Sequence, residues 1–170
     1  MLLSLPDHEL AQAIGLLAYG AGIAAFLQTR DDRLRWQLAA SSLLICLHFF
    51  MLGAQAAAIS CLISSLRTWI SGYYRQPLVM WFFIALIWLM SVPAINHPIE
   101  WLTVFGTSAG TLGLFLFSGL RLRLCMLAGS VMWLIHNLWA GSLGGALQEG
   151  TFVLINLYTL FRLQRPARSL

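Results

Sequence analysis

Two histidines, His48 and His136, stand 88 residues apart, each inside an apolar run and each five residues before a glycine, Gly53 and Gly141. Imidazole titrates near neutral pH, so a matched pair is suited to holding a ligand or relaying protons. The structural alternative is a pair of pegs bonding backbone carbonyls between helices. Arg67, Glu149 and Asn156 also lie within apolar sequence. Such groups are costly in hydrocarbon and face a bundle interior or a cavity rather than lipid. Ser60, Ser64 and Arg67 recur at i, i+4 and i+7, on one face of a helix, as a cavity wall or a polar seam. Arg67 is placed to meet an anion, to pair with an acid, or to snorkel its stem to the interface. Glu149 and Asn156, seven apart, share another face. A Glu149–His136 pair across a short turn would suit proton coupling, or equally a static gate. Trp133 and Trp139 flank His136 at three-residue spacing. Aromatic walls sandwich rings or sugars, with core packing and interface anchoring as the alternatives. The substrate-pathway candidates are therefore His48, Ser64, Arg67, Trp133, His136, Asn137, Glu149 and Asn156.

Catalytic chemistry has no comparable support. There is no GxSxG, HExxH or P-loop, and no intramembrane acid pair. Cys46, Cys61 and Cys125 are isolated in apolar runs without metal-ligand spacing and read as packing residues. No enzyme activity, metal or cofactor is expected.

The elements that must position these residues follow from composition. The chain has 170 residues, 59% hydrophobic and 9% charged, with a net charge of +4. Soluble domains carry about 25% charged residues, so this chain cannot cover a water-facing surface, and its solvent is lipid. All ten basic residues are Arg, spread between apolar runs rather than gathered on one face, which excludes a nucleic-acid partner. A span needs about 20 mostly apolar residues. Seven are present, near 10–28, 34–53, 55–73, 78–95, 99–117, 122–140 and 145–163, the third being the most polar. No signal peptide is expected, because Pro6-Asp7-His8-Glu9 lacks a positive n-region.

Arginines test the count. Arg30, Arg33 and Arg35, then Arg75, then Arg121 and Arg123, then Arg162, Arg165 and Arg168 fall in alternate loops and the tail, on one side of seven spans. Asp7, Glu9, Glu100 and Glu149 fall toward the other. The positive-inside rule then predicts the N-terminus outside and residues 164–170 as a basic cytoplasmic tail.

The offset of 88 extends beyond the histidines. Aligning residues 33–53 with 121–141 matches Arg33/Arg121, Leu34/Leu122, Arg35/Arg123, Ala40/Ala128, Ser42/Ser130, His48/His136 and Gly53/Gly141. Ala18-xxx-Gly22 and Gly106-xxx-Gly110 also pair, both small-xxx-small faces that let helices approach closely in lipid. The expected fold is one all-α polytopic membrane domain of two parallel three-helix-bundle repeats, 10–73 and 99–163, joined by a linker helix at 78–95.

The strings Leu47-His48-Phe49-Phe50-Met51-Leu52-Gly53, Ser65-Leu66-Arg67-Thr68, and Trp133 to Gly145 followed by Glu149-Gly150 resemble the YgjV-like bacterial inner-membrane family. The resemblance runs over nearly the whole chain and is most specific in its HNxWAGSxGG segment. It implies a multi-pass protein of the bacterial inner membrane and carries no activity. The 3+1+3 plan is similar, in architecture only, to SWEET, PQ-loop and PnuC-like transporters. The prolines those SWEET relatives carry in the first helix of each bundle are absent from spans 1 and 5, while Asn156 stands where they use an asparagine. The functional expectation is a small-molecule transporter or facilitator working by alternating access between the bundles. A non-transporting scaffold, assembly or lipid-interaction protein is the alternative. A water-accessible central cavity would separate the two. The expected partners are the lipid bilayer, an unidentified small solute, and a second copy of the chain if the Ala/Gly faces pack between chains.

Overall fold

The structure is a computed structural model that describes residues 5–26, 31–70, 73–74, 76–117 and 119–164. Among them are seven α-helices: α1 (Leu5–Phe26), α2 (Asp31–Met51), α3 (Gln55–Ile70), α4 (Pro77–Ser91), α5 (Trp101–Leu116), α6 (Gly119–Trp139) and α7 (Leu143–Gln164). Short 3-10 turns at Val92–Ala94 and Pro98–Glu100 connect α4 to α5. Each starts with proline at its first or second position, where a missing N–H costs nothing. The segments over Pro77–Ala94, Pro98–Leu116 and Leu120–Trp139 are each long and apolar enough to cross a membrane. Helix α3, in the most polar of the expected spans, has 16 residues, roughly 24 Å at the α-helical rise.

The surface is inverted relative to a soluble protein. Leu78, Leu89, Phe50, Leu154 and Phe161 are exposed, while Ser41, His48, Thr103, Thr111, Ser130, Asn137 and Asn156 are buried. Water would favour the reverse, so the outer face is built for hydrocarbon. With no hydrophobic force between helices in lipid, small residues and hydroxyl bonds hold the bundle. Ala56, Ala57 and Ala58 open α3 as a buried run. Ser41 donates to the Ala18 carbonyl at 2.7 Å, and Ser65 to that of Ala39 at 2.9 Å.

Consecutive helices pack in two series, α1–α2–α3 and α5–α6–α7. The series meet where α3 touches α5 and where α7 touches α1, closing six helices into a ring. Helix α4 packs on both α3 and α5, with Ser91 bonded to Ser60 and Trp88 to Ser108. The turns α2–α3 and α6–α7 are built alike. Gly53 and Gly141 have φ of 75° and 67°, the left-handed region that glycine enters without penalty. Ala54 N–H bonds Phe49 O and Gly53 N–H bonds Phe50 O; Ser142 N–H bonds Asn137 O and Gly141 N–H bonds Leu138 O. Both are Schellman caps, which satisfy the last carbonyls of a helix. Arg30, Arg75, Arg165 and Arg168, and the side chains of Arg33, Arg35 and Arg162, lie outside the described residues, as does most of the expected tail.

Candidate functional site

The ring encloses a partly open cavity of about 180 Å³. Five helices contribute to it, among them Phe49 of α2, Ser64 and Arg67 of α3, Thr107 of α5, Ser130, Trp133 and Asn137 of α6, and Gln148 and Glu149 of α7. By liquid volume this is the space of about six waters.

Two ionisable groups face it from different depths. Arg67 lies twelve residues into α3 and Glu149 six into α7, helices that start at the same end of the bundle. Helix rise separates them by roughly 9 Å along the bundle. Arg67 donates from Nη1 to the Thr111 hydroxyl at 2.5 Å, and its buried Nε has no partner. Thr111 passes its own proton to the Thr107 carbonyl at 2.7 Å, so its lone pairs are free for the guanidinium. Glu149 and Ser130 both line the cavity. Asn137 is buried with its Oδ1 unpartnered, and so is the Oε1 of Gln148. Unpaired polar atoms in a dry interior cost about 1–3 kcal/mol each. Here they line a space able to hold a ligand that would pair them.

Aromatic side chains form part of the wall. Phe49 of α2 lies 5.8 Å from the Trp133 ring and 5.6 Å from the His136 ring of α6. Trp133 is held in place by its indole N–H, which donates to the Thr107 hydroxyl at 3.1 Å. This aromatic contact joins α2 to α6, and the Trp133 ring is oriented from α5.

The eight candidate residues thus divide. Ser64, Arg67, Trp133, Asn137 and Glu149 share the cavity wall, whereas His48, His136 and Asn156 are absent from it. Ser60, on the same helical face as Ser64 and Arg67, turns instead to Ser91 of α4. Asn156 donates to the Phe152 carbonyl of its own helix, leaving its Oδ1 unpartnered. Trp133 combines both readings of an aromatic wall, since it packs in the core and lines the cavity.

His48 is a pin. Its Nδ1 lies 2.6 Å from the Ala11 carbonyl and its Nε2 2.7 Å from the Ser142 hydroxyl. A carbonyl only accepts, so Nδ1 carries a proton. Ser142 in turn accepts from the Gly145 N–H at 3.1 Å. One side chain thereby ties α1 to the start of α7. His136 is equally buried, but neither ring nitrogen has a hydrogen-bond partner; Phe49, Trp133 and Trp139 surround it. The expected Glu149–His136 pair is not formed, since neither His136 nitrogen has a partner. Sequence accounts for the difference: the residue after Gly141 is Ser142, and the residue after Gly53 is Ala54, which has no hydroxyl.

Truncating His48→Ala should therefore cost about 3 kcal/mol, from orphaned partners and an unfilled space. His136→Phe, which removes two unpaired nitrogens, should leave stability unchanged or raise it. Thermal unfolding in detergent reads both. A His48→Ala protein that melts like the wild type would refute the pin.

Thr107, Ser130, Gln148 and Phe49 were not singled out from the sequence. Thr107 sits in the Gly106–Gly110 stretch, where glycine spacing pointed to packing. Gln148 was overshadowed by its charged neighbour, and Ser130 was visible only as the repeat partner of Ser42.

A family model described as a bacterial inner membrane protein matches residues 9–167. The inner membrane protein YgjV of Escherichia coli (strain K12) is 38% identical over 158 residues, covering 93% of this chain and 86% of that one. No solved structure matches. A lipid-facing apolar surface, polar groups turned inward and a match over almost the full length agree: the chain belongs to the Imp-YgjV family of bacterial inner membrane proteins.

Proposed function

We propose that this protein is a transporter or facilitator for a small polar molecule rather than an enzyme. The observation that carries the reading is the partly open cavity at the centre of the helix ring, with Arg67 and Glu149 on its wall. In our reading α1–α3 and α5–α7 are two parallel bundles, and rocking one against the other exposes the cavity alternately to each side. The like-built turns at Gly53 and Gly141 and the bridging position of α4 support that division. The N-terminus is then outside and the C-terminus in the cytoplasm, as the arginine distribution requires. In this arrangement Arg67 lies toward the cytoplasmic side and the Phe49–Trp133 contact toward the outside.

The cavity's size and its mix of charges favour a solute of few atoms bearing polar groups of both signs. Uptake into proteoliposomes, across a panel of zwitterionic, anionic and neutral solutes, tests the function. The expected result is saturable uptake of a zwitterionic or anionic member. A correctly folded protein that moves none of them would leave a scaffold in place of a transporter.

A further inference from the structure

The ring has two seams between its helix series, and they differ. The α3–α5 seam carries α4, which packs on both helices. Among the described residues, no helix packs on both α1 and α7. These two run in the same direction and touch at Gly15 and Gly144, backbone to backbone. Gln12 clasps that crossing, donating to the Gly141 carbonyl at 2.5 Å and accepting from the Leu143 N–H at 3.0 Å. Beyond the crossing the helices part. Tyr19 and Thr151 still meet through their hydroxyls at 3.3 Å. A groove of about 190 Å³ opens beside them, bounded by Gly22, Ile23 and Ile155.

Gln148 and Phe152 line both this groove and the central cavity. They are the partition between a lipid-facing cleft and a polar chamber. The Gln148 Oε1 is buried within that partition without a hydrogen-bond partner. In lipid such a group should be paired, so a molecule threading the partition with a donor would satisfy it. Neither volume alone reaches the ~300 Å³ of an ordinary small-molecule site; the two joined exceed it.

We propose that the α1–α7 seam is a lateral portal, through which a lipid-like molecule with an acyl chain and a zwitterionic headgroup reaches the central cavity. The chain lies in the groove, whose walls are apolar apart from the hydroxyls of Tyr19 and Thr151 and the Gln148 amide. The headgroup passes Gln148 and Phe152, its acidic oxygens toward Arg67 and its ammonium toward Glu149. Arg67 offers the acidic oxygens a planar cation, and Glu149 offers the ammonium an oxygen acceptor. The occupant follows from position: the groove opens on the face that the bilayer bathes, where acyl chains are the solvent. This assignment rests on reading the central cavity as a ligand site, and it adds a lipid ligand to that site.

The test uses the unaltered protein in vesicles of phosphatidylethanolamine and phosphatidylglycerol. These are doped with either lipid carrying a photoreactive diazirine on its acyl chain close to the glycerol. After irradiation, adducts are mapped by mass spectrometry. The expected result is labelling of Phe152 and of the cavity-lining Trp133 and Phe49, several-fold greater with the ethanolamine lipid than with the glycerol lipid. Labelling confined to Ile23, Leu154 and Ile155 would overturn the portal. Equal cavity labelling by the two lipids would overturn the zwitterionic assignment. Solute uptake measured in the same vesicles reports separately on transport. Uptake without cavity labelling leaves the transporter and removes the portal; cavity labelling without uptake does the opposite.

Discussion

Replacing Gly144 by alanine is expected to force α1 and α7 apart and to produce the largest stability loss of any Gly→Ala change among the described glycines. A Cβ at position 144 would stand 2.8 Å from the Gly15 Cα and closer still to the Gly15 carbonyl. All three nearest atoms are backbone, so no side-chain rotation relieves the overlap, and one helix must move. Overpacking costs about 3 kcal/mol or more where the surroundings are rigid. This crossing is rigid because Gln12, His48 and Ser142 all bond across it. Moving α7 outward stretches each of those bonds, which adds to the loss. Gly150→Ala is the control in the same helix. Nothing lies within 4 Å of its Cβ position, and alanine there gains roughly 0.5–1 kcal/mol of helix propensity. Thermal unfolding in detergent should therefore separate the two variants in opposite directions from wild type. Equal melting of Gly144→Ala and wild type would mean that the crossing is not closed in the membrane.

Arg67→Met should abolish most transport while leaving the fold intact. The guanidinium bonds the Thr111 hydroxyl, and its Nε is unpartnered. A buried cation replaced by an apolar side chain of similar length is often neutral or stabilising, so melting should hold or rise. Losing a charge-assisted hydrogen bond to a solute costs about 1.5–3 kcal/mol, roughly a ten- to hundredfold fall in uptake per folded molecule. Lysine should restore only part of it, since a point charge replaces a planar fork. A merely structural arginine would give the reverse pattern, a lower melting temperature with uptake per folded molecule unchanged. Running the two variants beside Glu149→Gln would separate recognition of an anion from recognition of a cation.

Much of this architecture is written in local sequence. Seven helices, their approximate limits and the lipid-facing surface follow from apolar run length and scarcity of charge, because each helix satisfies its own backbone. Gly53 and Gly141 announce the two turns, since the left-handed caps there need a residue without a Cβ. Arg67 and Glu149 stand out in sequence because a charge at membrane depth has few reasons to be there.

What only the tertiary structure decided is which polar residues share a space. The matched spacing of 88 residues gives His48 and His136 equal standing in sequence, yet a single hydroxyl on another helix, Ser142, turns one into a pin, and neither ring lines the cavity. Gln148 matters because a groove opens between two helices beyond their contact at Gly15 and Gly144, a fact of packing that periodicity does not carry. Spacing along a helix fixes the face a side chain occupies; which helix meets that face depends on packing between segments far apart in sequence. The helices of this protein were legible one at a time, and its cavity and its open seam exist only in their contacts.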